Sequence, residues 1–232
     1  MSKKIKLFFK GIVDILPLLI PVVPFGIILG AIGIELGFSS LEIFATSFII
    51  FGGASQIVFL QLFSSGASSL ITITSTFVVN SRHLLYGVSF SEYLKNLSLG
   101  WKVLLSYLLT DQAYAVSNNY LKNNTDKNRS FHILGGGVTC WVIWQITTLL
   151  GIFLGSIIPE KLGLGFAVPL TFLAIIINDF RKLINTIVII VSGLIATFGS
   201  EVIPFKAYVI VAATIGLLIA MILTKFKKSN NG

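Results

Sequence analysis

The sequence predicts an all-α polytopic transmembrane helical bundle of about eight spans, or seven if one broken span is re-entrant, with discontinuous helices in the first half. Three observations carry this expectation. Hydrophobic residues make up 55% of the chain and charged residues only 11%, against about a quarter charged in a soluble domain. Apolar runs of the roughly 20 residues needed to cross a bilayer recur with short connections. The basic residues fall between and beyond those runs, where they act as topology signals. With 232 residues there is no room for a separate soluble domain, so residues 1–232 read as one integral membrane domain.

The formal net charge of +8 would suggest nucleic acid in a soluble protein. Here the lysines flank apolar runs, and a nucleic-acid partner is excluded. Cys140 is alone and His83 and His132 are the two histidines, so neither a disulfide framework nor a Cys/His metal site can be assembled. No cofactor motif is present either, since the chain lacks the phosphate-cradling Gly-x-x-x-x-Gly-Lys-Ser/Thr loop, and Gly135-Gly136-Gly137 lacks the spacing of a dinucleotide fingerprint. The start, Lys3-Lys4-Ile5-Lys6, imitates a secretory signal. The apolar run continues to about Gly33 without a small-residue cleavage site, and it reads as a retained first helix.

The first span, about residues 13–33, holds Pro17, Pro21 and Pro24 on one helical face. Each removes a backbone donor, which predicts a kink near Phe25-Gly26. The second, about 41–62, is interrupted at Gly52-Gly53-Ala54-Ser55-Gln56. A glycine pair at membrane depth frees amide groups that protein, water or ligand must satisfy, and a half-helix starting near Ser55 would turn its positive end toward an anion. The third, about 70–88, carries hydroxyls in its first half and Arg82 and His83 in its second. The fourth, about 103–120, has Asp111 near its middle, and Tyr107, Asp111, Tyr114 and Asn118 follow helical spacing, which predicts a polar stripe turned away from lipid.

Residues 119–130 read as the longest loop. The fifth span, about 131–157, places Trp141, Trp144, Gln145 and Thr148 on one face. The sixth, about 164–177, is short, contains Pro169 and ends at Asn178-Asp179. The seventh and eighth, about 183–197 and 204–224, are plainer apolar helices. With eight spans, one side holds Lys3, Lys4, Lys6, Lys10, Lys122, Lys127, Arg129, Arg181, Lys182, Lys225, Lys227 and Lys228, and the other holds Lys95, Lys102, Lys161 and Lys206. This asymmetry predicts both termini in the cytoplasm.

In that topology the third and fourth spans run antiparallel, and Arg82 and Asp111 come to depths within about 3 Å of one another at the helical rise of about 1.5 Å per residue. A guanidinium at membrane depth needs a counter-charge, water or a ligand. The pair either couples ions to movement or only fixes helix register. His83 adjoins it and reads as a proton-titrating group or a hydrogen-bonded bundle histidine. Asp14 and Asp179, near cytoplasmic ends, read as solvated carboxylates.

Phe51-Gly52-Gly53-Ala54-Ser55-Gln56, Ser81-Arg82-His83-Leu84-Leu85-Tyr86-Gly87 and Leu109-Thr110-Asp111-Gln112-Ala113-Tyr114-Ala115 occur in that order. In these motifs the chain resembles the AzlC family, the large subunits of bacterial branched-chain amino acid permeases. The resemblance runs from about Gly11 to the end, and after Phe131 it rests on hydropathy and length. Gln112 stands where many family members carry an acidic residue. The resemblance implies a transporter rather than an enzyme, in the bacterial plasma membrane. It implies export of leucine, isoleucine, valine and in some cases methionine, together with a small AzlD-like membrane subunit of roughly four helices. The expected driving force is the proton gradient.

A zwitterionic substrate needs an anion site, a cation site and an apolar pocket. Gly53, Ser55 and Gln56 at the half-helix end are candidates for the carboxylate, and Asp111 or carbonyls freed near Pro21–Phe25, with Pro24 among them, for the ammonium. Arg82 holding the carboxylate and releasing Asp111 is the alternative. Tyr86 and Tyr114 complete the substrate-binding candidates, and Arg82, His83 and Asp111 are the candidates for proton coupling or ion pairing. A non-transporting scaffold subunit, a transporter of another small solute and an intramembrane enzyme are the competing readings.

Overall fold

The computed structural model describes residues 2–126, 128–155, 180–203 and 208–230. These residues are helical and joined by short turns, with no strand among them. The helices are α1 (Lys3–Leu19), α2 (Val22–Glu35), α3 (Ser40–Ile50), α4 (Gly53–Ser64), α5 (Ser69–Asn80), α6 (Arg82–Leu94), α7 (Leu99–Tyr107), α8 (Asp111–Asn123), α9 (Ser130–Gly155), α10 (Leu183–Val202) and α11 (Tyr208–Asn230). The expected sixth span, with Pro169 and Asp179, lies outside the described residues.

α9 and α10 are each long and apolar enough to cross a membrane, and α1 with α2 forms a third such unit bent by 66°. The other helices of the first half are shorter. α3 has 11 residues and α4 has 12, so each rises less than about 20 Å at 1.5 Å per residue. Only two in tandem match a hydrocarbon core of about 30 Å. The architecture of the first half is therefore one of paired half-helices.

Each break has a local cause. Pro21 ends the first half-helix of the α1–α2 pair and is the residue preceding α2. The bend thus falls at Ile20-Pro21 and not at Phe25-Gly26 as the proline spacing predicted. Pro24 lies in the first turn of α2, where no backbone donor is required, so it leaves the helix unbroken. Between α3 and α4 the chain turns at Phe51, whose φ of 40° and ψ of 50° place a bulky residue in the left-handed region. Such a conformation persists only where the surroundings hold it. Gly52 follows in extended backbone, and a Cβ there would stand 2.7 Å from Asn80 Oδ1 and 2.7 Å from Ser55 Oγ.

Two further breaks have no proline or glycine. Ser81 alone separates α5 from α6, with tightened Ser81 N→Val78 O (3.2 Å) and Leu84 N→Ser81 O (2.9 Å) bonds on either side. Leu108 to Thr110 separate α7 from α8. The second of these divides the expected polar stripe. Tyr107 closes α7, donates to Phe48 O and accepts from Trp141 Nε1 at 2.9 Å, so it serves the α3–α9 contact and not the face that carries Asp111.

α9 is the post around which the first half assembles, with α1 and α2 laid along it. Both crossings are backbone to backbone. A Cβ on Gly11 or Gly135 would collide with the carbonyl of His132 or Phe8, and one on Gly30 or Gly151 with that of Thr148 or Ile27. Small residues permit this approach, which dispersion then stabilises. The predicted face of α9 is buried at Trp144, Gln145 and Thr148, while Trp141 is half-buried beside Phe48. The core of Ile15, Leu19, Val22, Leu29, Ile57 and Leu60 fills the space between α1, α2 and α4. α10 and α11 form a separate hairpin joined at Ser192 and Gly216, which reaches the rest of the described chain at α5.

Candidate functional site

All four breaks open on one cavity of about 210 Å³. The first turn of α2 contributes Val22 and Phe25, that of α4 Gly53 and Ala54, that of α6 Arg82 and His83, and that of α8 Asp111 and Gln112. Phe51, Gly52 and Thr110 enter from the connections, and Cys140 and Trp144 from α9.

Of the four partner helices that begin away from the cavity, α1, α3 and α5 are capped by Ser2, Ser39 and Ser68, whose hydroxyls accept from backbone amides, and α7 has no side-chain cap. Ser39 and Glu42 complete a reciprocal box. The helices α2, α4, α6 and α8, which begin at the cavity, have no side-chain cap at all. Their first-turn amides are left without intrahelical partners, and each helix start is equivalent to roughly half a positive charge. The polar wall of the cavity is thus an electropositive cradle of main-chain donors.

Arg82 adds a full charge to this wall. Its Nη2 lies 3.0 Å from Asp111 Oδ2, and the two side chains are 36% and 38% exposed. Arg82 Nε is buried without a hydrogen-bond partner among the described residues. Asp111 suits its place, since a carboxylate at a helix start is favoured by the dipole, and Tyr86 donates to its Oδ1 at 2.5 Å. Arg82 is at the start of α6, where the dipole opposes it, so Asp111 is what holds the guanidinium there. Tyr114 stacks on Tyr86 with centroids 4.4 Å apart and meets Ser89 at 3.1 Å. The two tyrosines stand behind Asp111 rather than in the cavity wall.

The rest of the lining is apolar. Phe25 meets Trp144 edge to face at 5.6 Å, and Phe51 packs on Tyr107 at 5.6 Å. Gly53 is needed between them, because a Cβ there would lie 2.5 Å from Phe25 Cε1 and 2.8 Å from Trp144 Cη2. Thr110 Oγ1 and Cys140 Sγ meet at 3.5 Å.

The residues singled out from the sequence separate into three groups. Gly53, Arg82, His83 and Asp111 line the cavity together. Ser55, Gln56, Tyr86 and Tyr114 support it from outside. Ser55 shares its single proton between Gly52 O at 2.8 Å and Asn80 Oδ1 at 3.0 Å. Gln56 is fully buried, accepts from Trp144 Nε1 at 3.0 Å and donates to Thr46 Oγ1 at 3.5 Å. Pro24 is exposed on the far side of α2. The apolar wall and Thr110 were not singled out. For Thr110 a signal existed, since Thr immediately before Asp is a helix-start pattern.

The sequence of residues 17–158 matches the family described as AzlC protein. The chain is similar to the inner membrane protein YgaZ of Escherichia coli (strain K12), at 28% identity over 181 residues, covering 75% of this chain and 74% of YgaZ. It is also similar to an uncharacterized membrane protein of Archaeoglobus fulgidus, at 27% over 182 residues with 77% and 78% covered. A further uncharacterized membrane protein, from Helicobacter pylori (strain 26695), is 24% identical over 184 residues with 76% and 77% covered. No solved structure matches. The family match spans more than half of the chain and contains all four helix breaks and the cavity they line, so this membrane protein belongs to the AzlC family.

Proposed function

We propose that the chain is the large subunit of a secondary transporter that exports leucine, isoleucine and valine, with methionine as a further substrate. It works with a small AzlD-like membrane subunit in the bacterial plasma membrane, with both termini in the cytoplasm, and is driven by the proton gradient. The observation that supports this reading is the cavity at the meeting point of four uncapped half-helices. Its lining combines main-chain donors, a guanidinium and a carboxylate with the apolar side chains of Val22, Phe25, Phe51 and Trp144. Few ligands ask for both except a zwitterion with an aliphatic side chain. Broken helices at a central site are also how membrane transporters expose main-chain groups to a substrate.

In this mechanism the substrate inserts into the Arg82–Asp111 pair. Its carboxylate takes the place of Asp111 before Arg82 and meets the amides at the start of α4, while its ammonium goes to Asp111. Tyr86 keeps the Asp111 carboxylate aimed as the pair opens. At about 210 Å³ the space is smaller than the roughly 300–1,000 Å³ of pockets for drug-sized ligands, which favours a short side chain over an aromatic one. Each substrate charge exchanges one fixed partner for another, so no charge is left unpaired in the membrane.

The test is efflux of labelled leucine from preloaded proteoliposomes that hold the chain alone or with its small subunit, with and without an imposed pH gradient. Gradient-dependent flux is expected, abolished by Arg82→Gln. Absence of flux for leucine, isoleucine, valine and methionine from folded protein with its small subunit would sink the reading.

A further inference from the structure

We propose that His132 and Asp14 form a proton-binding site of this protein, separate from the cavity at the helix breaks. Its use in transport rests on the function proposed above, whereas its titration does not. The sequence suggested a solvated carboxylate at Asp14. The structure instead brings it against a histidine 118 positions away, with Asp14 Oδ2 2.9 Å from His132 Nε2.

His132 is fully buried at the start of α9. Its ring lies face to face with Tyr120, centroids 3.9 Å apart and planes within 8°. Its Nδ1 is buried with no hydrogen-bond partner among the described residues. Asp14 is 31% exposed and lines an open cavity of about 530 Å³ together with Lys10, Tyr120, Asn119 and Asn124. The pair therefore has a dry end at the imidazole and a solvent-facing end at the carboxylate.

The surrounding charges oppose one another. From α1, Asp14 favours a charged imidazole, while Lys10, 3.0 Å from Asp14 Oδ2, disfavours it and competes for the same carboxylate. From α8, the Tyr120 ring favours it by a cation–π contact. Beyond Tyr120 stands the Lys3–Asp126 pair at 2.8 Å, and near the start of α9 Arg129 is held over Tyr93 and Lys4 over Phe131. The contact at 2.9 Å requires one proton between Nε2 and Oδ2. With Nε2–H donating to the Asp14 carboxylate, a second proton enters at Nδ1 and converts the neutral ring to an imidazolium facing a carboxylate, and its release from Nδ1 reverses the step with the Nε2–Oδ2 contact unchanged. A histidine that only fixes packing engages both ring nitrogens, because a buried unpaired one is costly. Here Nδ1 has no protein partner among the described residues in either protonation state, so a proton gained or lost there displaces no hydrogen bond. The titration belongs to the pair.

Position gives the site its use. Eight residues of α9 separate His132 from Cys140, and nine of α8 separate Tyr120 from Asp111, or roughly 12–14 Å at the helical rise. Asp14 precedes Val22 across the Pro21 bend. α8 and α9 run from the pair to the cavity, and α1 reaches it through the bend into α2, so a change of charge at His132 bears on the packing of elements that line it.

The test uses the full-length chain in lipid nanodiscs with nitrogen-15 labelled histidine. There are two histidines, and His132→Gln identifies the His132 ring signals by their loss. The His132 nitrogens are expected to titrate between about pH 5 and about pH 9, and Asp14→Asn is expected to lower that midpoint. A ring that keeps one protonation state from about pH 5 to about pH 9 overturns the proposal. Because the titration is read on the unsubstituted protein, misfolding of a variant cannot imitate it. In proteoliposomes, His132→Gln is expected to displace the pH profile of leucine efflux, and a profile identical to the parent's overturns the site's coupling. If the parent passes no leucine, the proposed function fails while the nitrogen titration still decides this site.

Discussion

Replacing Asp111 by asparagine isolates the charge of the central pair from its shape. The amide oxygen can still accept from Tyr86, so the 2.5 Å contact survives, but the amide nitrogen now faces Arg82 and repels it. At 3.0 Å the lost attraction is about 1.4 kcal/mol in a water-like medium and about 5.5 kcal/mol at an effective permittivity of 20. Side chains 36% and 38% exposed keep part of the solvent screening, which brings the expected loss to about 1.5–3 kcal/mol. That corresponds to a roughly ten- to hundredfold weaker pairing. Since the same carboxylate is proposed to receive the substrate ammonium, leucine binding should weaken by a similar factor and gradient-driven efflux should fall at least tenfold. A thermodynamic cycle with Arg82→Gln separates the two effects. The double variant should be more stable than the sum of the single losses by the coupling energy. Unchanged leucine affinity, unchanged efflux and additive stabilities for Asp111→Asn would together refute the reasoning, leaving the pair as a bystander.

Other substitutions probe the surroundings of the cavity and one ion pair away from it. Gly53→Ala inserts a methyl 2.5 Å from Phe25 and 2.8 Å from Trp144; overpacking of about 1–3 kcal/mol should lower the melting temperature of purified protein and displace both rings, so an unaltered melting point and leucine affinity would contradict the geometry. Trp144→Phe leaves the fully buried Gln56 oxygen without its 3.0 Å donor, a loss of about 1–3 kcal/mol that denaturant unfolding would detect and that a Gln56→Leu partner change should relieve. At Asp126 the hydrogen bond from Lys3, then the backbone amide of Asn128, hold the carboxyl below its usual range. A depressed folded value means that the pair stabilises the fold above the unfolded value of about 3.9 and loses that contribution as pH falls through the folded value. The stability difference between the parent and Asp126→Asn should therefore be present at neutral pH and close on acidification; a difference that persists at about pH 2 would show that another interaction is responsible.

The membrane class and the all-helical architecture were legible because composition and apolar run length act over the whole chain and need no partner. The interruption at Gly52-Gly53 was legible for a local reason, since two adjacent glycines weaken a helix wherever they occur. The bend at the prolines was foreseen in kind but misplaced by about five residues, because a proline in a first turn, as Pro24 is, does no damage. The positive end of a half-helix at the start of α4 was also foreseen, yet Ser55 and Gln56 point into protein contacts and leave the cavity to Gly53 and Ala54.

What only the tertiary structure decided depends on how helices pack. The breaks at Ser81 and at Leu108 to Thr110 contain neither proline nor glycine, and the apolar lining of Val22, Phe25, Phe51, Trp144 and Cys140 is drawn from three separate parts of the chain. The meeting of Asp14 with His132 follows from the glycine-lined crossing of α1 on α9, which no local propensity encodes. Sequence by itself determined which segments are helical and where chemistry is concentrated, since both follow from side chains and their near neighbours. Which of those polar groups share a cavity, which brace it and which meet a distant partner was set by backbone approach between helices, a property of the assembled bundle.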